Sequence, residues 1–332
     1  MNKVTKIGDV AEKTGYSITT ISRAINGNPN VSDKNKKRKI FAAMKELNYY
    51  PNNIAQQFRG QGTKMIGVVI SFITNPFFAY LVDAIERYLS HRGYQVVMLQ
   101  TLENPAKELQ FIEMLQKKQL DGLIMANLEN DTEEIKSLVE SGKIVLCNRY
   151  LGNENLTIIN IDETKAAYQA TNYLIKCGYK RIAYCTGGIK NKNDYRFKGF
   201  MQAVTENGLS FDESLYFEKL LTIKDGEELL VNILEEKSTM PDAIFSNGDT
   251  VAAGILYAAK KYGIAVPEEL GIIGFDNQPI AEVLNPALTT IEQPIKELGE
   301  YSAQVLLANL QGTSVPVAPD LETKLIIRET TK

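Results

Sequence analysis

The chain of 332 residues is 44% hydrophobic and 23% charged, enough apolar material for two cores of about 150 residues each, which excludes disordered, collagen-like and coiled-coil classes. One histidine (His91) and three cysteines (Cys147, Cys177, Cys185), with no CxxC or HExxH spacing, leave almost no ligands for zinc and nearly exclude histidine-dependent catalysis. The net charge of −3 is uneven: residues 1–62 carry 11 Lys+Arg against 4 Asp+Glu, a net of +7, so the other 270 carry −10, as expected of a basic head that meets a polyanion and an acidic body that handles something else.

In residues 6–13, Ile7, Val10 and Ala11 share one helical face; Gly15 then breaks the helix and Ser17 can cap a second. That second helix, 17–26, buries Ile21, Ala24 and Ile25 and presents Thr19, Thr20, Ser22, Arg23 and Asn26. A third follows Ser32, its expected N-cap, with Ile40, Met44 and Leu47 inward. Three short helices around a tight glycine turn form a helix-turn-helix head. The run Lys34 to Lys39 concentrates its charge, although alone such a run is only a solvated helix face.

Residues 51–60 start with Pro51 and stop at Gly60, a helix too short to hold in water by itself, followed by the polar linker Gln61-Gly62-Thr63. Beyond residue 64, strands and helices alternate: strands at 65–71, 95–99, 122–126, 144–147, 157–161, 181–186, 243–246 and 271–275, with helices at 77–91, 106–117 and 164–176 among those between them. The expected fold is therefore a small all-α head followed by an α/β core of two doubly wound parallel-sheet lobes. Ligands bind beyond the carboxyl ends of such strands. Those positions hold Phe72 with Phe77 and Phe78, Asn148 with Arg149, Lys190 to Arg196, Asn247 to Asp249, and Asp276 with Asn277. Aromatics opposite amides and charges suit a sugar-like ligand.

Ile7-Gly8-Asp9-Val10-Ala11, Gly15, Ser17, Thr20, Ile21-Ser22-Arg23, Asn26-Gly27, Leu47 to Asn52 and Ala55 resemble the head of the LacI/GalR family of bacterial transcriptional regulators. The resemblance runs on through Ile66-Gly67-Val68, Asn75-Pro76-Phe77-Phe78, Gly271 to Asn277 and Leu288-Thr289-Thr290-Ile291, in order and over essentially the whole chain. It implies an operator-binding dimer with a periplasmic-binding-protein-like core crossed three times by the chain. The implied segments are a head at 1–50, a hinge helix and linker at 51–64, one subdomain at 65–161 with 292–321, and a second at 162–291 with 322–332. No tetramer-forming helix is expected beyond Lys332.

By the same resemblance, Ile18, Thr19 and Arg23 read bases, with Ser17, Thr20, Ser22, Asn26, Tyr49, Asn52 and Ala55 also on DNA. Phe58 stands where the family has a leucine wedge, and can either unstack a base step or pack on the core. Ile18 shares a periodic face with Ile21 and Ile25, so burial is its alternative. The effector is assigned to Phe72, Phe77, Phe78, Asn148, Lys190, Arg196, Asn247, Asp249 and Asp276. Two departures stand out: the usual Asn-Asp pair reads Asn247-Gly248-Asp249, and a stacking aromatic is replaced by Leu221. One of Phe77 and Phe78 is expected in the core. Arg196 and Asp276 pairing only with each other is the plain alternative for those two. Lys190 and Lys192 beside Arg196 suggest an anionic ligand, a sugar phosphate or sugar acid, unless both lysines face solvent.

No GxxxxGK[ST] is present, and Gly187-Gly188 alone is no dinucleotide fingerprint, so neither enzyme activity nor a cofactor is expected. A transport-type solute binder conflicts with the basic head and with the absence of an apolar leader after Met1. No run reaches 18 apolar residues, and the cysteines lie in apolar stretches as reduced thiols do, so the expected setting is the cytoplasm, with no membrane partner.

Overall fold

The computed structural model describes residues 5–25, 33–49, 62–130, 133–148, 158–236 and 240–332. Contacts divide the chain into two units, 1–63 and 64–332. No helix of the described residues is long and apolar enough to cross a membrane.

The first unit contains α1 (Ile7–Thr14), α2 (Ile18–Ile25) and α3 (Lys34–Glu46). Gly15 closes α1 at φ +73°, the left-handed conformation that glycine adopts without a steric penalty. Ser17 begins α2 as expected, its hydroxyl accepting the Thr20 amide at 3.2 Å. Asp33 caps α3, accepting the amides of Asn35 and Lys36; the expected cap, Ser32, lies outside the described residues. Val10, Ile21, Ala24, Ile40, Ala43 and Met44 make the core, with Leu47 and Tyr49 against it.

In the second unit, β1 (Met65–Ile70), β2 (Gln95–Gln100), β3 (Gly122–Met125), β4 (Ile144–Cys147) and β5 (Ile158–Ile159) form a parallel sheet in the order β2-β1-β3-β4-β5. One face packs on α4 (Pro76–Ser90), the other on α5 (Pro105–Gln116) and α6 (Glu133–Glu140). A second sheet, β11-β10-β9-β8-β6-β7, is built from β6 (Ile182–Cys185), β7 (Tyr216–Phe217), β8 (Ala243–Phe245), β9 (Gly271–Asp276), β10 (Thr289–Glu292) and β11 (Lys324–Ile326). Here α7 (Glu163–Lys176) and α8 (Tyr195–Glu206) cover one face, and α9 (Ile223–Glu236) and α10 (Asp249–Tyr262) the other. The short α11 (Ile280–Val283) follows β9. Gly226 and Gly254 let α9 and α10 touch: a Cβ on Gly254 would fall on the Ile223 carbonyl oxygen, and one on Gly226 on that of Val251.

Both sheets are parallel, as expected, apart from one edge of the second, where β11 pairs antiparallel with β10. The chain returns along an edge, where no crossover helix is needed. It reaches that edge through α12 (Ile295–Gln311), which packs on the first sheet through Leu298, Ala303, Leu306 and Leu307. The chain therefore passes between the lobes three times: after β5, after β10 and before β11.

Candidate functional sites

The first turn of α2 projects from the head. Ile18 is 52% exposed, and Ser17, Thr19 and Arg23 are exposed beside it, while Ile21 and Ala24 are buried. Ile18 shares a periodic face with Ile21, but side chains lean toward a helix's N-terminus, so one in the first turn passes the end of the core. Thr20 is half-buried, its hydroxyl 2.9 Å from that of Ser17, and Ser22 is half-buried too. Tyr49 packs on the head core, where burial raises its phenol pKa. Asn26, Asn52, Ala55 and Phe58 lie outside the described residues, as does Arg149.

The basic run occupies the N-terminal half of α3. Lys34, Lys36, Arg38 and Lys39 are exposed, and the first turn holds no acidic residue. Cations there oppose the helix dipole, which favours anions at an N-terminus. Two of these cations have local partners, Lys36 lying 3.9 Å from the Asp33 cap carboxylate and Lys39 5.5 Å from the Tyr16 ring centre.

In the larger unit, side chains converge at the carboxyl ends of both sheets. The Asn127 amide, after β3, donates to the Ser71 hydroxyl, after β1. Asn148, held at φ +69° after β4, donates to the Ala126 carbonyl at 3.3 Å. Phe72 is half-buried. Phe77 and Phe78 are a correction: both belong to the first core, 4% and 6% exposed, meeting edge to face at 5.3 Å. Asn75 caps α4 and Pro76 opens it. That phasing puts Phe78, Leu81, Ile85 and Leu89 on the inward stripe, with Phe77 beside it.

Opposite, Arg196 has three fixed contacts. Its Nε donates to Glu163 Oε1 at 2.6 Å, its Nη1 to the Asn247 carbonyl at 3.0 Å, and its guanidinium lies 3.6 Å from the Phe275 ring centre. Glu163 is thus its carboxylate partner, rather than Asp276. The Asn247 amide donates to the Leu220 carbonyl at 3.1 Å. Asp276 ends β9 at φ +104°, a strained conformation for a residue with a Cβ, and accepts from the side-chain amides of Gln293 at 2.5 Å and Gln278 at 3.1 Å. Burial pushes its pKa up to about 6, against the pull of the Arg196 charge and the two amides.

Asp249 is a further correction. It is fully buried, not on the cleft wall, and accepts from the Thr290 hydroxyl at 2.5 Å and the Gln278 amide N–H at 2.6 Å. Burial, then the Asp276 charge, pushes its pKa up to about 8. Gly274 makes room for it, since a Cβ there would overlap Oδ1. The expected anion clamp is not assembled either. Lys190 pairs with Glu213 while its amide donates to Glu218, Lys192 is exposed on a groove that also borders Glu213, and Arg196 is held by Glu163.

Between the lobes lies a cavity of about 560 Å³ whose walls include Glu103, Asn127, Leu128 and Glu129 from the first lobe and Asn191, Lys219 and Leu221 from the second. Leu221, in place of the family's aromatic, does line the cleft as an aliphatic wall. Sequence reasoning missed Asn127 and Glu163: each is a single polar residue whose partner, Ser71 or Arg196, lies 56 or 33 residues away. Among the described residues no group of three or more His, Cys, Asp or Glu could hold a metal. Burial pushes the Cys147 thiol up to about 12 and raises that of Cys185, so neither is a ready nucleophile.

Residues 6–52 match the model of bacterial regulatory proteins of the lacI family, and residues 171–331 that of a periplasmic binding protein-like domain. The chain is 37% identical to the NTD biosynthesis operon regulator NtdR of Bacillus subtilis, over 98% of this chain and 99% of that protein. It is 34% identical to the ribose operon repressor of Halalkalibacterium halodurans, over 99% and 98%. A Lac repressor dimer bound to operator and the anti-inducer ONPF aligns over 99% of both chains, with a TM-score of 0.82 and 26% identity. A LacI family regulator from Lactobacillus casei with bound glucose covers 80% of this chain and 99% of its own, with a TM-score of 0.74 and 30% identity. With a helix-turn-helix head, a two-lobed core and relatives matched end to end, the chain belongs to the lacI family of bacterial regulatory proteins.

Proposed function

We propose that the chain is a sequence-specific transcriptional regulator, a repressor of carbohydrate-utilisation genes, that binds a pseudo-palindromic operator as a homodimer under control of a small effector held between its lobes. The observation that carries this reading is the exposed first turn of α2, where half-exposed Ile18 stands beside Thr19 and Arg23. An apolar side chain left in water on a small domain has a use in the major groove, where it can meet a thymine methyl while Arg23 grips guanine. The lysines of α3 supply phosphate contacts.

In this reading the subdomains are 65–161 with 292–321 and 162–291 with 322–332, and Asn148, Arg196, Asn247 and Asp276 stand at the effector site with Asn127 and Leu221. The effector alters the angle between the lobes, and residues 51–64, which join core to head in sequence, convey the change. By linkage, operator binding shifts effector affinity by the same factor as the effector shifts operator affinity.

Selection of bound sites from a random DNA library with the full chain, repeated with a panel of sugars, tests the proposal. Enrichment of a palindromic site whose occupancy changes with one ligand class is expected. No enriched site under any condition would overturn it.

A further inference from the structure

The cavity between the lobes carries an unbalanced charge. Glu103 and Glu129 stand exposed on its first-lobe wall. Behind them Glu108 is fully buried, accepting the amide N–H groups of Glu129 at 2.8 Å and Asn130 at 2.9 Å and the Asn130 side-chain amide at 2.9 Å, with no cation among these donors. On the facing wall Asp194 is occupied as the cap of α8, and Lys219 is the cation that the lining contains. The other basic groups nearby are engaged, Arg196 by Glu163 and Lys190 by Glu213. Burial raises the carboxyl pKa of both Glu103 and Glu129, and the charges of Glu103 and Glu108 raise that of Glu129 further.

We infer that the effector carries a protonated amine on a small hydroxylated ring, an amino sugar or close analogue, with its ammonium group set against Glu103 and Glu129. This rests on reading the cleft as the effector site. A phosphate placed here would face two rim carboxylates with a third behind them. A neutral sugar would leave those carboxylates desolvated and unpaired as the lobes close, whereas an ammonium group offers them charge-assisted hydrogen bonds. The rest of the lining suits the remainder of such a molecule: Leu128 and Leu221 for a ring face, Asn127 and Asn191 for hydroxyls.

Isothermal titration calorimetry of the full chain with matched probes tests the inference: glucosamine and galactosamine against glucose, galactose and glucose 6-phosphate. The amine-bearing probe is expected to bind about 10-fold more tightly than its neutral parent. That preference should vanish in the Glu103→Gln/Glu129→Gln double variant, whose exposed side chains leave the fold intact, and all sugar binding should weaken in Asn127→Ala. If a neutral or phosphorylated sugar binds as tightly as the amine, and Asn127→Ala weakens it, the amine inference fails while the effector cleft stands. An amine preference that persists in the double variant also overturns the inference. If no probe of any charge binds, both readings fail.

Discussion

Arg196 and Glu163 meet at 2.6 Å with 14% and 3% of their side chains exposed, joining the first turn of α8 to the first turn of α7 beneath the cleft. A pair so enclosed is expensive to break, because removing one partner strands the other charge where water cannot reach it. Glu163→Ala should therefore cost about 3 kcal/mol of unfolding free energy in urea, within the range for such truncations. A loss under 0.5 kcal/mol would show that Arg196 finds another partner.

Base reading by α2 can be separated from phosphate contact by α3. Arg23→Ala should cost about 1 to 3 kcal/mol on the preferred operator and relax selectivity at one base pair. Lys34→Gln should weaken every sequence alike and reduce the slope of log affinity against log salt by about 1. Equal loss of selectivity from both variants in a binding-site selection would undo the distinction.

The buried acids make stability depend on pH in an uncommon direction. Asp249 has a folded pKa of about 8 and Asp276 of about 6, both above the usual carboxylate value of 3.8. The native state therefore holds more protons than the unfolded state between roughly pH 4 and 8, so these groups lower stability as pH rises through that window. Asp249→Asn keeps an acceptor for the Gln278 amide and offers a donor to Thr290, so it should flatten the pH profile from 5 to 8 and match or exceed wild type at pH 8. A wild-type curve that rises between pH 5 and 8, unchanged by the substitution, would contradict this assignment.

Helix propensity and packing oppose each other at Gly254. Alanine gains about 1 kcal/mol over glycine inside a helix, but here its methyl would overlap the Ile223 carbonyl oxygen and push α9 from α10. Overpacking against rigid backbone wins, so Gly254→Ala should destabilise the larger unit by about 2 kcal/mol net. Thermal unfolding of the full chain measures it.

Strand and helix positions were readable in the sequence because apolar runs such as Ile144–Cys147 and capped helices such as Asn75-Pro76 are local signals. The edge strand β11 was not, since Lys324–Ile326 is short and has no full buried face. At the cleft, sequence pointed to strand ends but not to the side chains that meet there. Ligand use and core use of Phe77 and Phe78 look alike until the phase of α4 is known. Likewise Lys190 reads as a free cation until Glu213, on the turn before β7, is brought beside it. Asp249 was misplaced because the space beneath Gly274 exists only once β9 and α10 are packed.

The lysines at the start of α3 have a consequence for how the head responds to its medium. Because they oppose their own helix dipole, dissolved ions that screen them favour the folded head. In the proposed operator complex the same ions compete with those lysines for the phosphates. Concentrated salt thus tightens the head as a fold while loosening it from a duplex, and a bound duplex replaces the salt as the source of that screening.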